Sequence, residues 1–398
     1  MRIGVVGAGL AGLACAWTLH RHGHQVVVLE ARDRVGGRTW SARLPNGVVV
    51  ERGGEWIDAD QHTIRRFCAE LHLPLAPHGV RFHRRTVDGA TPTLAELEAT
   101  LAEVETAIPE EDTTLAAAFE AALGPDYASD PTFLRIATST AGDPHRASAR
   151  LNVARAESGR IDGAARVVGG NQLIAEALAA GLGDRVRTGS PVAGVETGTD
   201  SAVLTTEHDE RIEVDRVVVA VPLALLDDLD LEPALPDSWR SALAHVATGT
   251  AVKLSVPTTG AAAPRGVQHP GETWWAWNSL DPAGDGGVAA VTCFGGGTTA
   301  RDALAVADGP ATWLALLRDL RPDLDPTDEP LLTDWTVDPW SRGGYSHLLA
   351  GADPDALAVL QRRNGPLALA GEYTAGAGCS GTMEGALASG VRAAHALL

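Results

Sequence analysis

The first thirty residues carry one pattern of apolar and polar positions. An apolar run, Arg2 to Val6, is followed by the glycine turn GAGLAG, then by helical spacing through Leu10, Leu13, Trp17 and His20, then by the run QVVVLE. This order predicts a buried strand, a helix ended by Gly23 and a second buried strand. Strands joined through a helix run parallel, so a parallel sheet covered by helices follows. From Thr93 to Phe119 apolar residues three and four apart in an Ala-rich and Glu-rich stretch predict one or two helices. The runs DRVRTGSPVAGVE, SAVLTTE, RIEV and DRVVVAVP are spaced as a meander ending in one buried strand, closed by Pro222. Between Ala251 and Cys293 short apolar runs alternate with Gly and Pro and include ETWWAWNSLD, which predicts a sheet with an aromatic face. Alternation is taken to turn Trp275 away from Trp274 and Trp277. The chain closes with a strand, a glycine-rich loop and a helix carrying Leu387, Val391 and Ala394 on one side, while PTTGAAAPRG and DPAGDGG are expected as exposed loops.

Composition narrows the function classes. A chain of 398 residues is long enough for two or three domains. Its formal net charge of -19 comes without any basic stripe, which argues against a nucleic-acid partner. Cys15, Cys68, Cys293 and Cys379 lie far apart with no CxxC pair, so neither a zinc site nor a disulfide framework is expected, and a reducing compartment fits. The opening MRIGVVGAGL has too little apolar length before its first glycine turn for a signal peptide or a membrane span. The expectation is a cytoplasmic protein with no membrane partner and no metal, since histidines and carboxylates nowhere show ligand spacing.

The chemistry begins at the first turn. Gly7, Gly9 and Gly12 form GxGxxG between a strand and a helix, where backbone amides and the helix dipole favour a pyrophosphate. Glu30, 18 residues beyond Gly12 at the end of the second strand, is placed for the ribose hydroxyls of an adenosine. EARDRVGGRT then adds Arg32, Gly36, Gly37 and Arg38, a second close backbone approach with guanidinium groups for another phosphate contact. At this point the chain resembles the flavin monoamine oxidase family. ERGGEWID, with Gly54, Glu55 and Trp56, resembles that family's next flavin contact; GEYT resembles its GExT motif, and SGTMEGALASG its flavin-capping helix. VVGGNQLIAEALAAGLGDRVRTGSPVAGVE resembles its middle cofactor segment, with Val192 near the adenine, and DWTVDPWSRGGYSH the segment that brings an aromatic residue to the substrate side.

The resemblance implies an α/β fold: a Rossmann-type FAD-binding domain in three segments, 1–76, 163–226 and 345–398, interleaved with an α+β substrate domain, 77–162 and 227–344. It implies Glu372 on the ribityl and phosphate side, and Thr382 and Met383 where a helix N-terminus meets the pyrimidine end of the flavin ring, a dipole suited to negative charge there. Two departures matter. Where the mitochondrial enzymes attach flavin through a cysteine, Gly344 precedes Tyr345, so FAD is expected to be noncovalent. Where they frame the amine with two aromatic side chains, Tyr345 matches one and Thr382 stands in place of the other, which is closer to the polyamine oxidase and lysine demethylase branch.

Lys253 is the only lysine in the chain, against 31 arginines. In TAVKLSVP a period of two puts Val252, Leu254 and Val256 on one face and Ala251, Lys253 and Ser255 on the other, so Lys253 need not lie in the core. In the family a strand lysine of this kind holds a water near flavin N5 and stabilises negative charge there. The resemblance therefore implies oxidation of an amine to an imine by hydride transfer to FAD, with O2 reduced to hydrogen peroxide and Lys253, Tyr345 and Thr382 at the reacting centre. The alternatives are a flavin desaturase or oxidase resembling protoporphyrinogen oxidase or carotenoid desaturase, an L-amino-acid oxidase, and a flavin-binding protein without turnover. Trp274, Trp275 and Trp277 are candidates to line the cavity, and His83 and His347 lie near segments that reach it, with structural packing the simpler role for each.

Overall fold

The strand, helix, strand unit at the N-terminus is the centre of a five-stranded sheet. In a computed structural model describing residues 1–158, 163–259, 262–280, 289–376 and 378–398, the strand order is Leu367–Leu369, Arg216–Val219, Arg2–Val6, Gln25–Leu29, Val186–Arg187. All four pairings are parallel. Segments from the start, middle and end of the chain thus share one sheet, and apart from Arg2, Gln25, Arg187 and Arg216 at strand ends its residues are apolar because both faces are covered. Ile3, Val5, Val28 and Val218 pack on one face beneath the helices Leu10–Arg21, Leu173–Leu182 and Met383–Leu397. Val6, Val27, Leu29, Val217 and Val219 pack on the other.

That second face is covered by the expected meander. Val192–Thr197, Ala202–Thr206 and Arg211–Val214 pair antiparallel, and Asp230–Glu232 adds a parallel edge. The final buried strand, Arg216–Val219, leaves this layer and joins the parallel sheet beside Arg2–Val6. Pro222 follows it at the start of a short helical turn, Leu223–Asp228.

A second sheet, antiparallel, runs in the order Arg265–Gln268, Trp274–Asn278, Ala290–Gly296, Ala251–Thr259, Asp325–Pro326, with Leu331–Asp334 also on the Ala251–Thr259 strand. One face carries Val252, Leu254, Val256, Trp274 and Cys293 against Trp313. The other carries Lys253, Phe294 and Trp275 in one cross-strand row, with Trp277 beside them. The expectation for the tryptophans is corrected: residues two apart share a face, so Trp275 and Trp277 go together and Trp274 is the one turned away.

The Thr93 to Phe119 stretch forms two helices, Leu94–Ala107 and Leu115–Leu123. The first opens with a capping box in which Thr93 and Glu96 exchange side-chain and backbone hydrogen bonds. These helices pack with Pro131–Thr140 and Ala149–Ser158 around Phe119, Phe133 and Val153. Of the two expected exposed loops, 281–287 and residues 260–261 lie outside the described residues; the expectation for the rest of 257–266 is corrected, since Pro257–Thr259 ends one strand with Pro257 and Thr258 buried and Arg265–Gly266 opens the next. No helix among the described residues is long and apolar enough to cross a membrane.

The last helix is locked to the first by close backbone contact. A Cβ on Gly390 would collide with the Ala11 carbonyl oxygen, whereas one on Gly271 would come no nearer than 4.0 Å to His269. Gly390→Ala is expected to lower stability by about 1–3 kcal/mol through overpacking, read as a lower urea midpoint. Gly271→Ala is expected to leave that midpoint within the error of the measurement.

Candidate active site

A cavity of about 730 Å³ lies between the carboxyl ends of the parallel strands, at Val6, Leu29 and Ala220, and the Lys253 face of the antiparallel sheet. At its first end Gly7 adopts φ 99° to turn the chain into the helix Leu10–Arg21. That helix begins without a side-chain cap or an acidic residue in its first turn, which leaves its amides and dipole to an anion. Gly9 has open space where a Cβ would stand. Gly12 does not line the cavity; it lies behind the wall, where a Cβ would collide with the Gly7 carbonyl oxygen, and so serves close helix-to-turn packing. The second glycine turn docks on the first, with Gly36 N donating to Ala8 O at 2.9 Å and Gly37 at φ 57°. These features fit a dinucleotide, because the diphosphate needs free amides and closely approached backbone.

Glu30 is buried, its two oxygens accepting from Ala8 N at 2.7 Å and Arg32 N at 3.0 Å. The Arg32 guanidinium spans to Asp338 and to Ser341 Oγ at 2.9 Å, which ties the 338–341 loop to this end of the cavity. Arg38 donates to Gly344 O and pairs with Glu372 at 3.1 Å. Val192 lines the cavity as well.

At the other end Gly53 is pressed on the Arg38 carbonyl, and a Cβ on Gly54 would stand 2.8 Å from Met383 Cγ. Glu55 and Trp56 follow. Lys253 is 4% exposed, and its Nζ donates to Glu51 O at 2.7 Å, Gly53 O at 3.1 Å and Glu55 Oε2 at 2.7 Å. Glu55 Oε1 accepts from His78 Nε2 at 2.9 Å and Trp277 Nε1 at 3.0 Å, with Arg166 at 3.7 Å. Burial alone would raise the Glu55 carboxyl, but the Lys253 ammonium, the His78 hydrogen bond and Arg166 hold it well below the usual carboxylate range. Burial lowers the His78 imidazole in turn, and its ring stacks on Trp56 at 3.7 Å.

Tyr345 donates its hydroxyl to Ser139 O at 2.6 Å and lies nearly parallel to Phe294, with centroids 6.4 Å apart. Thr382 caps the last helix: its Oγ accepts from Gly385 N at 2.9 Å and donates to Cys379 O at 2.6 Å, so the hydroxyl is engaged while the residue still lines the cavity. Glu372 accepts from Ser346 N at 3.1 Å, Ser346 Oγ at 2.6 Å and Gly381 N at 2.7 Å, which joins the neighbours of Tyr345 and Thr382 through one carboxylate.

The structure thus gathers every expected site residue except Gly12 around one cavity. Trp275 and Trp277 line it, while Trp274, His83 and His347 do not. The residues that sequence reasoning missed are His78, Arg166 and the buried Arg135, which lines the wall together with Arg155. None sits in a motif, and no local signal marks them.

The family described as flavin containing amine oxidoreductase matches residues 10–398. A putrescine oxidase from Kocuria rosea is 32% identical over 302 residues, and the match covers 63% of this chain and 63% of the relative's length. Flavin-containing amine oxidase B from Rattus norvegicus is 27% identical over 99% of this chain and 85% of its own. Among solved structures, a putrescine oxidase bound to putrescine superposes with a TM-score of 0.80 at 22% identity, covering 99% of this chain and 98% of that one. Cyclohexylamine oxidase from Brevibacterium oxydans IH-35A gives 0.81 at 22% identity, covering 100% and 98%. At those identities the structural likeness is one of fold.

Glu51, whose carbonyl holds Lys253, has a buried side chain that accepts from Ser41 Oγ at 2.7 Å and Asn171 N at 2.8 Å. Burial outweighs these bonds and pushes its carboxyl up to about 7 from 4.5. The folded protein then holds a proton that the unfolded chain releases, so stability falls as pH rises through that window, by on the order of 3 kcal/mol. The buried imidazoles of His78 and His347 act in the opposite sense below about pH 6.5, so the Glu51 contribution is read as a difference: the urea midpoint of the wild type should fall relative to that of Glu51→Gln between about pH 5 and about pH 7.5. Asp58, pushed up to about 6 by burial and by Asp60, is common to both proteins and drops out of the difference.

Proposed function

Because the chain belongs to the family of flavin containing amine oxidoreductases, we propose that it oxidises a neutral amine to an imine in this cavity, with noncovalent FAD as cofactor and O2 as electron acceptor. The observation that carries the reading is the placement of Lys253, the chain's one lysine, buried in the cavity wall against the Gly53 to Trp56 segment. Gly7, Gly9, Glu30, Arg32, Gly37, Arg38, Gly54, Val192, Glu372 and Met383 hold the cofactor, with Gly12 supporting the first turn from behind. The chemistry a bound flavin supplies is acceptance of hydride from the carbon beside the amine nitrogen and delivery of the electrons to O2 as hydrogen peroxide.

The protein's own work is positioning and electrostatics. Phe294, Tyr345, Trp275 and Trp277 give the amine an aromatic wall, Thr382 fixes the helix N-terminus, and Lys253 sets the ammonium end of its ion pair with Glu55 in that wall. A Cβ on Gly344 would stand 2.5 Å from the Ala251 Cβ, which leaves no room for a side chain that could bond the flavin. The three segments on the parallel sheet support the division into FAD-binding segments 1–76, 163–226 and 345–398 and a substrate domain, 77–162 and 227–344. Four free cysteines support a cytoplasmic, reducing location.

For the substrate, the relatives named for putrescine make a short diamine the first candidate, and Asp58, Asp60 and Glu384 in the cavity lining suit a second ammonium. An amino acid is the second reading, favoured by Arg135, a buried guanidinium in the wall where a carboxylate would be bound.

A peroxide-coupled screen across diamines, monoamines, cyclic amines and amino acids tests the proposal. Turnover of diamines over amino acids is expected; the reverse order selects the second reading, and no peroxide from any amine refutes amine oxidation. Acid precipitation should release the flavin into the supernatant, and colour kept in the pellet contradicts noncovalent binding. Lys253→Met should slow anaerobic flavin reduction or reoxidation by at least about tenfold; unchanged rates would remove Lys253 from the chemistry.

A further inference from the structure

An ammonium has three N–H donors. For Lys253 all three are taken by one five-residue segment, through the carbonyl oxygens of Glu51 and Gly53 and the Glu55 carboxylate, at 2.7, 3.1 and 2.7 Å. Of these acceptors only Glu55 carries charge. It is itself held from three other places in the chain, by His78 and Trp277 through hydrogen bonds and by Arg166 at 3.7 Å. A carboxylate anchored on that many sides has one position, and it gives its partner one position too.

We propose that Glu55 is the positioning residue for Lys253: by accepting from one ammonium N–H while it is itself held by His78, Trp277 and Arg166, it fixes the lysine at one point of the cavity wall. The lysine then acts on the cavity as the positive end of a fixed ion pair and through the 51–55 segment that it staples to the antiparallel sheet. Stability does not account for the pair, since a buried ion pair is often no more stabilising than apolar side chains of the same volume. What the pair supplies is geometry: a four-carbon stem with free rotors is held by three acceptors at a single point. The role in turnover rests on the amine oxidase reading; the positional role does not.

Because Lys253 is the only lysine, holoenzyme grown with lysine carrying heavy nitrogen at Nζ gives one side-chain nitrogen signal. The proposal expects ammonium protons protected from solvent exchange in the wild type and exchange faster by at least about tenfold in Glu55→Gln. Glu55→Asp keeps the charge, withdraws it by one methylene and should speed exchange by less. Exchange unchanged in either variant overturns the proposal, so it stays falsifiable if Glu55→Gln does not fold. In the kinetic arm, Glu55→Gln should slow flavin reduction by amine, and Glu55→Gln combined with Lys253→Met should match Lys253→Met alone within about twofold. A purely structural Glu55 would instead slow both backgrounds by the same factor, which also overturns the proposal. Protection that depends on Glu55 in a protein that oxidises no amine refutes the amine oxidase reading and leaves the positioning role standing.

Discussion

The buried ion pair of Glu55 and Lys253 is the interaction on which the arrangement of the cavity depends. Taking both charges out of water is costly, and removing one partner from such a pair costs about 3–5 kcal/mol because the other is left unpaired. The fold meets this demand by bringing every neighbouring segment to the same point. Gly53 packs on the Arg38 carbonyl, Gly54 on Met383, and Asn171 Nδ2 donates to the carbonyls of Gly54 and Glu55 at 3.1 and 2.8 Å. The second glycine turn, the last helix and the lysine strand are therefore located relative to one another through a single short segment.

Glu372 does the corresponding work on the far side. Its carboxylate joins Ser346, Gly381 and Arg38, so Tyr345 and Thr382, 37 positions apart in a chain whose described intervening residues make two strands and three short helical segments, hold fixed places beside each other. Two buried carboxylates from distant parts of the chain thus frame one cavity, Glu55 satisfied by the Lys253, His78 and Trp277 side chains and Glu372 by Ser346, Gly381 N and Arg38. The aromatic residues between them, Trp275, Phe294 and Tyr345, inherit their places from strand register and from the Tyr345 hydroxyl bond to Ser139.

What was legible in the sequence was whatever a few consecutive residues decide. The glycine turns at Gly7 and Gly36, the alternation that lets Lys253 face a cavity and the helix N-terminus at Thr382 are local properties, and the structure has each. The sheet order is not local: Arg216–Val219 reads as the end of a meander, yet its apolar faces suit a place between Arg2–Val6 and Leu367–Leu369. The tryptophan error was of another kind, since the period of two already assigns Trp275 and Trp277 to one face. His78 and Arg166 were beyond reach for a physical reason. Their contribution is one contact each with Glu55, 23 residues away for His78 and 111 for Arg166, and nothing beside them in sequence changes with it.

The lone lysine itself follows from acceptor geometry. Elsewhere arginine meets acceptors spread to match a planar fork: Arg321 grips the two oxygens of Asp323 through Nε and Nη2, each at 2.8 Å. At position 253 two carbonyls and one carboxylate oxygen converge on a single nitrogen. A guanidinium there would spread five donors over a plane, leaving some buried without acceptors and driving the rest past the point where the three oxygens meet. A compact ammonium satisfies the same three acceptors with nothing left over. A sequence that otherwise replaces lysine with arginine keeps one lysine where the acceptors form a point and not a line, and that point lies in the wall of the cavity.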